Sequence, residues 1–91
     1  MNILIVDDEA PARTRLRQLL ADMGKNYEVV AEAANGWEAL KQCSAVPVDL
    51  VLLDIRMPGL DGLGTATRLA EHTPPPAVVF ITAYEEHALQ E

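Results

Sequence analysis

The chain has 91 residues, of which 49% are apolar and 23% charged, enough for the core of one small globular domain. Its net charge of −7 argues against nucleic-acid contact by this segment, which would want a basic face. The single Cys43 excludes an internal disulfide, and with no signal-like opening and no apolar run of membrane-spanning length the expected location is cytoplasmic.

In chain order the pattern alternates between strands and helices. Asn2 to Val6 is short and almost wholly apolar, which predicts a buried parallel strand. Pro11 suits the first turn of a helix, and Ala12, Leu16, Leu19, Leu20 and Met23 form an apolar stripe, with Arg13, Arg15 and Arg17 expected on a solvated face. Gly24 is the helix stop. Tyr27 to Ala33 reads as the second strand, Asn35-Gly36 as a turn, and Gly36 to Cys43 as a short second helix. The third strand is expected over Val48 to Asp54. Met57-Pro58-Gly59 reads as a loop, and Asp61 as the cap of a third helix running to Glu71. The Thr73-Pro74-Pro75-Pro76 linker leads into a fourth strand, Ala77 to Thr82, and Glu85 to Glu91 would begin a fourth helix. No internal repeat and no domain boundary interrupts residues 1–91. The order predicts an α/β fold, a doubly wound parallel sheet in three layers with right-handed crossovers.

The chemistry is expected where the strands end. Asp7-Asp8 follows the first strand, Asp54 closes the third and Thr82-Ala83 ends the fourth. In a parallel sheet these ends share one edge, where ligands bind in open α/β sheets. Carboxylates crowded together repel unless a proton or a cation intervenes, and a hard divalent cation is the natural occupant. Trp37 reads as helix-surface packing, Cys43 as a small core residue, and His72 and His87 as solvent-facing residues without metal-ligand spacing.

Val6-Asp7-Asp8-Glu9, Leu53-Asp54-Ile55-Arg56-Met57-Pro58-Gly59-Leu60-Asp61-Gly62 and Ile81-Thr82-Ala83-Tyr84 resemble the receiver domain of bacterial two-component response regulators. The opening through Arg13 and the segment Thr82 to Leu89 resemble, more narrowly, receivers attached to LytTR-type DNA-binding domains. The resemblance spans essentially the whole chain. It implies a flavodoxin-like (CheY-like) sheet of order 2-1-3-4, with Asp54 as phosphoacceptor, not an enzyme in its own right. It also implies Mg²⁺ (or Mn²⁺) held directly by Asp8 and Asp54, by Asp7 largely through water, and by the backbone carbonyl of Arg56. Thr82 would be the switch hydroxyl, and Ala83 small enough to admit the phosphoryl group. The implied partners are a sensor histidine kinase and an output domain outside this chain, with neither a membrane nor nucleic acid contacted by this segment. The resemblance also expects a fifth strand, a fifth helix and a lysine that ion-pairs with the phosphoryl group, whereas the lysines here are Lys25 and Lys41. The chain therefore reads as a receiver truncated after the start of its fourth helix, whose uncovered fourth strand would favour a homodimer or a strand-exchanged assembly. Two other readings stay open: a phosphorylation-independent interaction module, and an Asp-nucleophile phosphatase, in which the nucleophile would follow the first strand.

Overall fold

In the computed structural model, which describes residues 1–81, the apolar run Asn2–Val6 forms β1, the most deeply buried strand. It is buried because it has a neighbour on each edge: β2 (Glu28–Ala33) on one side and β3 (Leu50–Asp54) on the other. β4 (Ala77–Ile81) pairs with the far edge of β3, so the sheet order is β2-β1-β3-β4 with every pairing parallel. Three helices make the crossovers: α1 (Ala10–Met23), α2 (Gly36–Ala45) and α3 (Gly62–Leu69). The expected doubly wound parallel sheet is thus observed, and its strand order reverses direction between β1 and β3.

Side chains alternate across a strand, so each strand feeds two cores. Leu4, Val6, Val51 and Leu53 face α2 and α3, where Ala39, Met57 and Leu69 close a buried cluster. Ile3, Ile5 and Leu52 face the other way, onto Leu20 and Leu16 of α1. The α1 stripe is narrower than expected. Leu16 and Leu20 form the seam against the sheet, whereas Leu19 and Met23 are 52% and 63% exposed. Neighbouring positions on a helix are about 100° apart, so Leu19 and Met23 define a second seam turned away from the first.

The element boundaries shift for local reasons. Asn35 is not part of a free turn: its side chain accepts the Glu38 N–H at 2.9 Å while the Glu38 carboxylate accepts the Ala34 N–H at 3.0 Å, a reciprocal cap that starts α2 at Gly36. α2 then runs on to Ala45. Asp61 caps α3 as expected, accepting the Gly64 N–H at 2.8 Å. That helix ends at Leu69 rather than Glu71, because the Glu71 and His72 amides bond three residues back, to Arg68 and Leu69, in a tightened last turn. β2 and β3 begin at Glu28 and Leu50, short of the expected starts at Tyr27 and Val48. Gly24 stops α1 with φ of 130° and Gly59 turns the Pro58-Gly59 loop with φ of 77°, both in the region that favours glycine. The expected fourth helix, Glu85 to Glu91, and His87 lie outside the described residues.

β2 contains one irregularity. Asn2 and Ile3 pair with Glu28 and Val29, but Leu4, Ile5 and Val6 pair with Ala31, Glu32 and Ala33. Val30 is the extra residue of a β-bulge. Val29 therefore packs with the α1-facing cluster, while Ala31 and Ala33 pack with the opposite one.

Candidate functional site

The register brings the acidic strand ends together. Val6 pairs with Leu53, so Asp7, just after β1, and Asp54, the last residue of β3, lie side by side. Asp7, Asp8 and Asp54 each offer a carboxylate oxygen, and these oxygens lie within 4.8 Å of one another. Asp7 is buried, Asp54 half-buried and Asp8 exposed, so the cluster opens to solvent on one side. The three sit at the carboxyl edge of the sheet, beside the reversal in strand order, the usual ligand position in this architecture.

Each member is held differently. The Asp7 N–H donates to the Ala33 carbonyl at 3.1 Å, and its Oδ1 accepts the Glu9 N–H at 2.9 Å. Its own carbonyl accepts from Arg13 Nη1 at 2.6 Å. Asp54 Oδ1 accepts the Arg56 N–H at 3.1 Å, which ties the carboxylate to the loop after β3. Burial pushes the Asp54 carboxyl above the ordinary aspartate range; the Arg56 N–H opposes that shift, and the negative charges of Asp7, Asp8 and Glu9 add to it. The site therefore concentrates negative charge that a proton or a cation would relieve. The donor set is all oxygen, and one face is open for further ligands, which fits a small hard divalent cation.

Backbone packing beneath the site is tight. Gly62, the first residue of α3, donates its N–H to the Ile55 carbonyl at 3.0 Å. A Cβ there would stand 2.6 Å from the Asp54 carbonyl oxygen and from Ile55 Cα. Gly36 is equally confined, against the Thr65 hydroxyl and the Leu60 carbonyl.

Of the expected site residues, the structure joins Asp7, Asp8 and Asp54 and places Arg56 two positions beyond, bonded to Asp54 through its amide. Thr82 and Ala83 lie outside the described residues. Ile81 pairs with Asp54, and its carbonyl accepts the Ile55 N–H at 3.4 Å, so β4 reaches the same edge. Lys41 is within α2, and Lys25 lies between α1 and β2.

Two other expectations change, for the arginines of α1 and for His72. Arg13 is not a solvated side chain: it bonds to Asp7 and to Glu32, and Arg17 pairs with the same Glu32 carboxylate. The arginines next to it depress the Glu32 pKa, with Arg17 the largest cause. His72 is half-buried and lines, with Cys43, Asp49 and the Pro74 and Pro76 rings, a cavity of about 240 Å³ near the start of β3. Cys43 packs at the border of the core as expected, and burial raises its thiol pKa. Trp37 is 56% exposed with the Arg68 guanidinium 5.0 Å from its ring centroid, which agrees with packing on the helix surface.

A doubly wound parallel sheet with three carboxylates gathered at its switch point defines the class of open α/β domains whose sites lie at the carboxyl edge, and comparison with known proteins makes the class specific. The response regulator receiver domain family matches residues 3–91, and the chain belongs to that family. It is 52% identical over 90 residues to the positive alginate biosynthesis regulatory protein of Pseudomonas aeruginosa, covering 99% of this chain and 36% of that protein. The chain thus spans about a third of the length of the curated relatives it matches. Among solved structures it is similar to the response regulatory domain of mrkE from Klebsiella pneumoniae, with a TM-score of 0.81 and 36% identity over 99% of this chain and 73% of that one. It is also similar to the response regulator TrrA of Thermotoga maritima in complex with Mg²⁺-BeF, with a TM-score of 0.81 and 40% identity over 94% of this chain and 72% of that one. Family membership places the chain in two-component signalling and leaves the Asp-nucleophile phosphatase reading without support. No helix among the described residues is long and apolar enough to cross a membrane.

Proposed function

We propose that residues 1–91 act as a phosphoacceptor receiver, with Asp54 taking a phosphoryl group from a sensor histidine kinase in the cytoplasm. The observation that carries this reading is the convergence of the Asp7, Asp8 and Asp54 carboxylates within 4.8 Å at the switch point of the sheet. In the transfer, an Asp54 carboxylate oxygen forms a bond to phosphorus, the phosphorus–nitrogen bond of the phosphohistidine breaks, and its electron pair returns to the imidazole. Such transfers depend on positioning and charge neutralisation more than on covalent chemistry by the protein. The raised Asp54 pKa makes its carboxylate a stronger base than an ordinary aspartate, in keeping with a nucleophile. Asp8 and Asp54 would hold Mg²⁺ or Mn²⁺ directly, with Asp7 acting through water and the Arg56 carbonyl as a further ligand. That cation would neutralise phosphoryl charge. The TrrA complex, a relative bound to Mg²⁺-BeF, supports this assignment.

Thr82 would grip a phosphoryl oxygen, and Ala83 would leave room for the group. The signal would pass to an output domain outside these residues, of the LytTR DNA-binding type. The relationship to the alginate regulatory protein supports an output in gene regulation. The test is to treat the intact protein and its Asp54→Ala variant with a small phosphodonor, with and without Mg²⁺, and measure mass. A gain of one phosphoryl group in the parent alone, dependent on Mg²⁺, is expected. Equal labelling of the variant would overturn the assignment.

A further inference from the structure

The bulge at Val30 has a consequence at the acidic site. It turns Glu32, opposite Ile5, onto the face that packs against α1. A carboxylate directed at an apolar seam needs a cation, and here it meets two. Arg13 Nε donates to Glu32 Oε1 at 3.0 Å, and Arg17 Nε donates to Glu32 Oε2. Arg13 is the more enclosed of the pair, its side chain 18% exposed against 48% for Arg17. The Arg13 fork has a second branch, which donates to the Asp7 carbonyl at 2.6 Å. One planar guanidinium thus ties the turn after β1 to a carboxylate fixed on β2, a geometry for which arginine is suited.

We propose that Arg13 and Glu32 are positioning residues that fix the Asp7-Asp8 turn for cation binding. The turn needs such a hold. Asp8 is exposed and Asp7 is anchored through its backbone to Ala33, so the carbonyl on which Arg13 pulls is the link between the anchored strand and the ligand-bearing turn. The effect on affinity rests on the cation reading given under Proposed function; the bracing of the turn does not.

Positioning and simple electrostatics make opposite demands on Arg13. As a nearby positive charge it opposes cation binding, so removing it would tighten the site. As a brace it preorganises the ligands, so removing it would loosen the site. We expect bracing to dominate, because groups that orient ligands commonly set metal affinity by an order of magnitude or more.

The experiment uses the intact protein and MgCl₂ alone, followed through the amide resonances of Asp8 and Glu9. Arg13→Met and Glu32→Gln should each weaken Mg²⁺ binding by roughly tenfold. Arg17→Met, which removes a cation that does not touch Asp7, should stay within about twofold of the parent or tighten. Arg13→Met behaving like Arg17→Met would overturn the proposal. Amide exchange in metal-free protein gives a second, independent readout. The Asp7 and Glu9 amides should exchange several-fold faster in Arg13→Met, with Ile3 to Val6 unchanged, which also shows that the variant is folded. Unchanged exchange at Asp7 and Glu9 would overturn the brace whether or not the protein binds Mg²⁺. A parent protein that responds to Mg²⁺ no differently from Asp54→Ala would instead refute the cation reading, leaving the brace to be judged by exchange.

Discussion

Gly62 sits against the backbone of Asp54 so closely that an added Cβ would lie 2.6 Å from the Asp54 carbonyl oxygen. The neighbour is backbone and cannot rotate aside. Gly62→Ala should therefore destabilise the domain by about 1–3 kcal/mol, the usual range for overpacking, despite the better helix propensity of alanine. Chemical denaturation checks the size. An amide shift at Asp54 and Arg56 larger than elsewhere would locate the strain, and a variant as stable as the parent would show that the α3 start can slide away.

Asp54 offers a test of stored repulsion. Its folded pKa is raised above the ordinary value of 3.8, chiefly by burial, so the folded state favours the protonated form. Its contribution to stability is fully present below that ordinary value and is lost as pH rises through the folded value. Asp54→Asn removes this loss. In metal-free buffer the variant should be more stable than the parent at pH 7, with the difference shrinking as the buffer is acidified. Added Mg²⁺ should raise the melting temperature of the parent and leave the variant unmoved. Equal pH dependence in the two proteins would refute the account.

Glu32 works in the opposite direction. The Arg17 and Arg13 guanidiniums hold its pKa below the ordinary 4.5, so its stabilising effect is present above that value and is lost as pH falls through the lower, folded one. Glu32→Gln should cost about 0.2–1 kcal/mol for each partly exposed pair at neutral pH and almost nothing in strong acid. Unfolding curves of the two proteins at both ends of that range measure the difference directly.

The Trp37–Arg68 contact links α2 to α3 across an exposed surface at 5.0 Å. A double-mutant cycle with Trp37→Leu and Arg68→Ala should give a coupling of about 0.5–1 kcal/mol, as expected for a solvent-exposed cation–π pair. Arg68→Ala alone should change the emission of Trp37, the single tryptophan. A coupling indistinguishable from zero would mean that the two side chains merely coexist.

Assembly of the 91-residue chain by itself is the fifth test. Among the described residues β4 pairs with β3 alone, and Val79 and Phe80 are 46% and 38% exposed. Uncharged, apolar edge strands recruit further strands. Light scattering across a concentration series should show self-association of this chain. A monomer at every concentration would refute it.

Most of this architecture was legible in the sequence, because its signals are local. Short apolar runs marked every strand to within two residues, Asp61 and Gly24 marked helix ends, and the acids just after β1 and at the end of β3 had to share an edge once the strands were parallel. What escaped depended on distant partners. The stripe on α1 showed that Leu19 and Met23 were apolar, but not which of two adjacent seams the sheet would fill. Arg13 looked like Arg15, since nothing nearby in the chain distinguishes an arginine that reaches Asp7 and Glu32 from one in water. Simple alternation from Val29 would have put Ala31 and Ala33 on the α1 side and Glu32 on the other, so the acid that organises the arginines was concealed by the bulge. Asn35-Gly36, a strong turn signal, proved to be a helix start because Glu38 completes the cap.

Val30 has no partner on β1, while the five residues Glu28, Val29, Ala31, Glu32 and Ala33 match Asn2 to Val6 one for one. Losing a residue from a strand ordinarily exchanges its two faces from that point onward. Here the opposite holds. Excising Val30 would leave Val29 and Glu32 toward α1 and Ala31 and Ala33 toward α2, with every existing pair intact. β2 is thus a strand in which shortening by one residue conserves the fold's inside and outside, whereas closing the bulge at constant length would reverse them for Glu32 and both alanines.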